Sequence, residues 1–519
     1  MNRLMELEDS KIPLLAGTAL VAAALTVHTL RQSKDTRRYR KIERPESTLP
    51  VLGNLLDVVR REDDFHDWFL EQTVRYEGRP WAFTLPIQGE AIVVSTPEAI
   101  EEVMSTQFKN FIKGQFQRDL LSGLFAMGVG LLDGEQWYHQ RKTAVKFFST
   151  KVLDMFVRES IKKNIGRVNN VMEQAIQSQE MIDLKALFYE FTLDTFVEMG
   201  LGVDLASIGS NTTHPIQEAL EIISSIVFER IRRPGWKIER WLNVGKEGER
   251  TRQMDMVYAW IHEVIQKSVD KSIQKKHSGE DASQRSCKSI VELFLDSVDE
   301  DVGGLSKDDF VDFVLNLVVA ARDTTADTLT WIFYCLNRYP EVEKKLREEL
   351  DMEFADLPRD NSTYLSMDRL KSLVYLEAVV KETIRLYPVG ALTFREAVED
   401  TVICGDIFVR KGQQVMTSQY SIARSPELWG PDASEFRPER WIDPETGKIK
   451  PVSPFKFFNF SAGPRICIGM NLALMELRIV TANLLYRCRF EVDPSVDGTY
   501  KAGVTLTTKQ PLRAKVVNV

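Results

Sequence analysis

The chain has 519 residues, 44% hydrophobic and 27% charged, with no low-complexity block and no internal repeat. Its 67 basic and 75 acidic residues leave a net charge of −8, which excludes the basic surplus of a nucleic-acid-binding surface. Five cysteines (Cys287, Cys335, Cys404, Cys467 and Cys488) are scattered, odd in number and without CxxC spacing. That argues against a disulfide framework and a zinc site, and for a reducing compartment.

Ile12 to Leu30 is a run of 19 residues without a charged side chain. As a helix it would span about 28 Å, close to a bilayer core. Seven basic residues against two acidic ones follow between Arg31 and Arg44, so the positive-inside rule puts the bulk of the chain in the cytosol. The short flank before the run is acidic, which favours an uncleaved anchor over a secretory peptide. The expected organisation is therefore a flank (1–11), a single-pass transmembrane anchor (12–30), a basic linker (31–48) and one large globular domain (49–519).

Leu49 to Asn54 reads as a rigid turn, and Trp81 to Ser95 alternates as a short β-hairpin around Gly89. Pro97 to Pro388 is mostly helical in period, with a solvated loop expected between Lys271 and Ser289 and another near Asp356 to Ser362. Within it, Ser306 to Tyr339 is one long helix with capping-box spacing at its start and Pro340 at its end. Tyr375 to Pro388 is a second helix. Short strands follow Pro388, a helix covers Met470 to Tyr486, and Val492 to Val519 is strand-like. The fold class expected is mainly α with small β-sheets.

Phe460-Ser461-Ala462-Gly463-Pro464-Arg465-Ile466-Cys467-Ile468-Gly469 reads as a loop that supplies a thiolate to haem iron. Glycines let the backbone turn and aim N–H groups at a sulfur. Arg465 can reach a haem propionate, and Phe460 would shield the sulfur from water. Taken alone, Cys467 could be one more small buried hydrophobe. Asp323 and Thr324 stand in the middle of an apolar helix, a local conflict of the kind found at functional sites.

These residues resemble the cytochrome P-450 superfamily of haem-thiolate monooxygenases: the loop matches FxxGxRxCxG, and Ala320-Ala321-Arg322-Asp323-Thr324 matches the oxygen-activation motif (A/G)GxDT but for Ala321 at its glycine. The resemblance implies haem b with Cys467 as axial ligand, Thr324 holding dioxygen and its water, and Asp323 linking the site to bulk protons. Ala321 replaces the commoner glycine, which would narrow the groove. Glu382 and Arg385 match the structural ExxR pair, usually a mere surface bridge when met alone, with Arg440 as its third member. Propionate partners would be Trp137, Arg141, Arg395 and Arg465. Ala320 stands where animal fatty-acid hydroxylases often carry a Glu esterified to haem, so no covalent link is expected.

Phe108 to Gly114, Leu132 to Trp137 and Gln140 to Lys142 look like the fatty-acid ω-hydroxylase clan of plants, fungi and protists. This implies terminal or near-terminal hydroxylation of a fatty acid by O2 in the endoplasmic reticulum membrane, with electrons from an NADPH-dependent reductase. Lys113 and Arg118 are the candidate cations for the substrate carboxylate, although long basic side chains commonly just reach solvent. Sterols, terpenes and xenobiotics are alternative lipophilic substrates. A lipid-hydroperoxide isomerase or a non-catalytic haem sensor are rivals from other classes.

Overall fold

The computed structural model describes residues 39–519 apart from 87, 126–127, 149–156, 211–213, 278–288 and 293–306. The expected anchor and Ser306 lie outside the described residues. No helix among the described residues is long and apolar enough to cross a membrane.

The site is positioned by α1 (Phe65–Arg75), α2 (Gly114–Leu121), α3 (Gly134–Phe147), α4 (Leu184–Leu201), α5 (Pro215–Glu229), α6 (Gly245–His277), α7 (Lys307–Arg338), α8 (Val374–Leu386) and α9 (Met470–Arg487). Among the described residues, four small sheets sit beside them. α4 is apolar almost all round and buried along most of its length, as a helix enclosed by others must be. It packs along α7, and both share the main core with α8 and α9.

The largest sheet runs β1 (Trp81–Leu85), β2 (Gly89–Val93), β5 (Gln414–Ser418), β4 (Leu392–Ala397) and β3 (Phe111–Ile112) in spatial order. β1 and β2 form the expected hairpin, with Trp81 opposite Val93 and Leu85 opposite Gly89. β2 pairs with β5 in parallel across most of the chain, while β4 returns antiparallel with Arg395 opposite Val415. Arg395 is therefore the fourth residue of its strand.

One expectation shifts. The solvated loop was expected to begin at Lys271, but α6 runs on to His277. Ile261, Val264, Ser268 and Ser272 stay buried along it, so a packed face carries the helix past the polar composition.

Candidate functional site

The Cys467 loop is fixed by backbone geometry. Gly463 has φ +62°, and a Cβ there would collide with the Met104 carbonyl, so any other residue would displace the loop. The Cys467 N–H donates to the Phe460 carbonyl at 2.7 Å, closing the loop just before α9. The Cys467 sulfur is accessible because it faces a cavity of about 390 Å³. Protein packed on its other sides pushes the thiol up, while the N–H groups of Gly469 and Met470 and the charge of Arg141 pull it down. Those donors are what a thiolate ligand needs.

Three of the cations lining this cavity lie near enough to act on one another. Lys113, Arg395 and Arg465 all line it. Burial, then the charge of Arg465, brings Arg395 down to about 9. Burial also lowers Arg465 to about 10, against the pull of Asp133. Lys113 is pushed well down by burial and by both arginines. Asp133 answers only part of this charge. It accepts from Arg465 at 2.7 Å, from the backbone of Lys113 at 2.9 Å and from Arg118 at 2.5 Å. The buried Arg465 Nε has no hydrogen-bond partner. A cluster of buried guanidinium and ammonium groups with one orphaned donor fits a bound dianion, as haem with its two propionates is.

Trp137 and Arg141, four apart on α3, also line the cavity. The Trp137 ring lies 4.5 Å from the Arg465 guanidinium, and Arg141 donates to the Ile466 carbonyl at 2.7 Å. Phe460 completes the lining near Cys467.

α7 lines the same cavity with Ala320, Ala321 and Thr324. The Thr324 hydroxyl donates to the Ala320 carbonyl at 2.7 Å, and Thr328 and Thr330 make the same back-bond to the Thr324 and Ala326 carbonyls. Asp323 faces elsewhere. It pairs with Arg322 at 2.7 Å and lines a polar cavity of about 620 Å³ with Lys185, Tyr189 and Glu221. Burial raises Asp323 to about 6 despite the Arg322 charge.

Beneath the loop, Glu382 and Arg385 on α8 are both fully buried and pair at 2.8 Å. Glu382 also accepts from Arg440 at 2.7 Å, from the Trp441 indole at 2.9 Å and from the Arg437 N–H at 2.8 Å. Arg385 donates to the carbonyls of Ala423, Ala433 and Glu435. Asn459 then ties the segment before Cys467 to the Ile384 carbonyl of α8 at 2.6 Å.

The two proposed substrate cations separate. Lys113 sits among the cavity cations, whereas Arg118 is held by Asp133 and Gln115 and does not line the cavity. Two further residues escaped the sequence reading. Asp133 organises the cation side, and its only signal was its place beside Trp137. Glu476 on α9 lines the cavity, and burial alone raises its carboxyl to about 8. Its signal was an acid on an otherwise apolar stretch nine residues after Cys467.

A family model described as Cytochrome P450 matches residues 44–516. Cytochrome P450 704C1 of Pinus taeda is 31% identical over 475 residues, covering 88% of this chain and 89% of its own. Cytochrome P450 monooxygenase cyp1 of Mycosarcoma maydis is 29% identical over 433 residues, covering 83% and 67%. Cytochrome P450 704B1 of Arabidopsis thaliana is 28% identical over 496 residues, covering 90% and 94%. The similarity thus reaches plant and fungal relatives.

Proposed function

The chain belongs to the cytochrome P450 family, and from that premise we propose that it hydroxylates a fatty-acid chain at or near the methyl end, bound to the membrane through residues 12–30. The observation that carries the reading is that Cys467 and Thr324 line one mainly apolar cavity of about 390 Å³, which Lys113, Arg395 and Arg465 also line. In this family the bound haem supplies dioxygen activation and transfer of one oxygen atom to a C–H bond.

This chain's residues do the rest. Cys467 would hold the haem iron as thiolate, its charge steadied by the Gly469 and Met470 N–H groups. Arg395, Arg465 and Lys113 would hold the propionates, with Trp137 and Arg141 lining the same cavity. Phe125, Phe148, Phe196 and Leu317 exclude water and give an alkyl chain an apolar wall. Thr324 turns its hydroxyl from the Ala320 carbonyl into the cavity to pass a proton, and Asp323 resupplies it from the polar cavity. The retained acid–threonine pair favours this reading over a hydroperoxide isomerase. Electrons come from an NADPH-dependent reductase on the same face of the endoplasmic reticulum membrane.

The test is a reduced, carbon monoxide-bound spectrum of the parent and of Cys467→Ser. Oxygen and NADPH consumption with added reductase and long-chain fatty acids follows, with product mapping. The expected result is a thiolate-type band only in the parent and hydroxylation at or near the methyl end. A band without turnover would point to a sensor, and oxidation confined to sterols, terpenes or xenobiotics would overturn the fatty-acid reading.

A further inference from the structure

Arg322 stands between two acids and holds them unequally. Its side chain is fully buried, and its Nη1 donates to Asp323 Oδ1 at 2.7 Å. Its Nη2 stops 3.8 Å from Glu221 Oε1 on α5, too far for a hydrogen bond. Neither Nη2 nor Nε has a hydrogen-bond partner, so a buried guanidinium leaves donors unused beside an anion. The Glu221 side chain is 66% exposed and, among the described residues, makes no other ion pair. Glu221, Asp323 and Tyr189 all line the polar cavity.

The contacts around Arg322 hold it without fixing its direction. Its guanidinium carbon lies 4.6 Å from the centre of the Tyr189 ring, and a cation–π attraction has no single bonded direction. The ring itself is anchored, because the Tyr189 hydroxyl donates to Asp327 at 2.7 Å. Further charges act on this set. Asp327, one turn along α7, disfavours the Asp323 charge. Lys185 on α4 acts on Asp327 and Glu221, Lys501 acts on Lys185, and His214 before α5 feels Arg322. While Asp323 is ionised, the close and buried pair wins Arg322. Once Asp323 takes a proton from solvent in the polar cavity, that hold is lost, and Glu221 is the nearest ionised carboxylate.

We propose that Glu221 is a positioning residue: it draws Arg322 away from protonated Asp323 and frees that carboxyl to turn towards Thr324. Asp323 then gives its proton to the Thr324 hydroxyl oxygen as that hydroxyl passes its own proton into the Cys467 cavity. The carboxylate left behind pairs with Arg322 again, and one proton has crossed from one cavity to the other. This rests on the monooxygenase reading above and names the residue that releases its proton supply.

The experiment uses the full-length holoenzyme with an NADPH-dependent reductase and palmitate. It compares the parent with Glu221→Gln, Glu221→Asp and Arg322→Gln, each checked for folding by an unchanged carbon monoxide spectrum. Glu221→Gln should lower kcat about three- to tenfold, part of what a general acid contributes, with KM within about twofold. Glu221→Asp should restore most of that loss. In an Asp323→Asn background Glu221→Gln should add less than about twofold, since the two act in one relay. Infrared difference titration of the Asp323 carboxyl, parent minus Asp323→Asn, gives a readout without turnover. Losing Glu221 commits Arg322 to Asp323, so that carboxyl should titrate lower by roughly half a pH unit. Arg322→Gln removes the opposing charge and should move it higher by about one pH unit. A parent-like kcat or a parent-like titration in Glu221→Gln, or an undiminished loss in the Asp323→Asn background, overturns the proposal. A parent that oxidises no palmitate overturns the fatty-acid reading, and the infrared titration then decides whether Arg322 is shared between the two acids.

Discussion

Asp323 and Thr324 are consecutive residues that line different cavities. Successive residues of an α-helix are separated by about 100°, so Thr324 faces the Cys467 cavity while Asp323 faces the polar one. One dipeptide therefore spans the wall between a mainly apolar chamber and a more polar one. Thr324→Ala should keep haem and substrate affinity but divert most reducing equivalents to peroxide. Asp323→Asn should slow turnover roughly 10- to 100-fold, within the range of lost general acid–base catalysis. Asp323 is raised to about 6, so its protonated fraction falls as pH rises through that value. The parent's kcat should decline across that window, and the Asn variant should lose that limb. Equal coupling of NADPH to product in Thr324→Ala and parent would remove Thr324 from the mechanism.

The buried ion network under the Cys467 loop makes a graded prediction. Arg385→Met strands the fully buried Glu382 carboxylate without its main partner and should cost about 3–5 kcal/mol. Trp441→Phe removes one donor to the same carboxylate and should cost only about 1.5–3 kcal/mol. Haem retention should fall in the same order. Denaturant midpoints read alongside absorbance at the haem band check both, and a reversed order would mean that Glu382 is not the hub.

How much of this was legible in the sequence depends on the range of the interactions. The 3.6-residue period set α7, expected over Ser306 to Tyr339 and observed over Lys307–Arg338. Likewise α8 and α9 and the hairpin at Gly89 follow from local pattern and turn chemistry. The parallel pairing of β2 with β5 has no local signal, because it joins strands from opposite ends of the chain. Nor has the environment of His66, whose partner Tyr500 lies 434 residues away. The cation side failed for a similar reason. Lys113 and Arg118 look alike as basic residues near apolar ones, and only Asp133, folded against them, sends one to a salt bridge and leaves the other at the cavity.

Glu476 predicts a pH dependence of stability. Burial raises its carboxyl to about 8 from an ordinary 4.5. Between those values the native state keeps a proton that the unfolded chain has released, so stability falls as pH rises through this window and levels off above it. At about 1.4 kcal/mol per unit the loss reaches several kcal/mol by pH 9. Glu476→Gln keeps the shape without the titration. Its thermal midpoint should vary less between pH 5 and 9 and exceed the parent's at the alkaline end. Parallel pH profiles for the two proteins would show that the Glu476 carboxyl is ionised in the folded state.

The proposed anchor can be tested by truncation. Residues just past 38 already belong to the folded unit. Tyr39 stacks on Phe408 at 5.0 Å, Arg40 pairs with Asp406 at 2.7 Å, and Arg44 pairs with Glu90 at 2.5 Å. The Glu43 carbonyl accepts from the Ala82 N–H at 2.8 Å, extending the pairing beside β1. Exposed ion pairs contribute about 0–1 kcal/mol each, and an aromatic pair about 0.5–1.5 kcal/mol. Deleting residues 1–38 should therefore move the protein from the membrane to the soluble fraction with spectrum and stability unchanged. Deleting residues 1–44 should release it equally but lower stability by about 1–3 kcal/mol. Fractionation followed by urea denaturation of both truncations separates the outcomes. Full-length protein in the soluble fraction would sink the anchor, and equal stability of the two truncations would show that residues 39–44 add nothing to the fold.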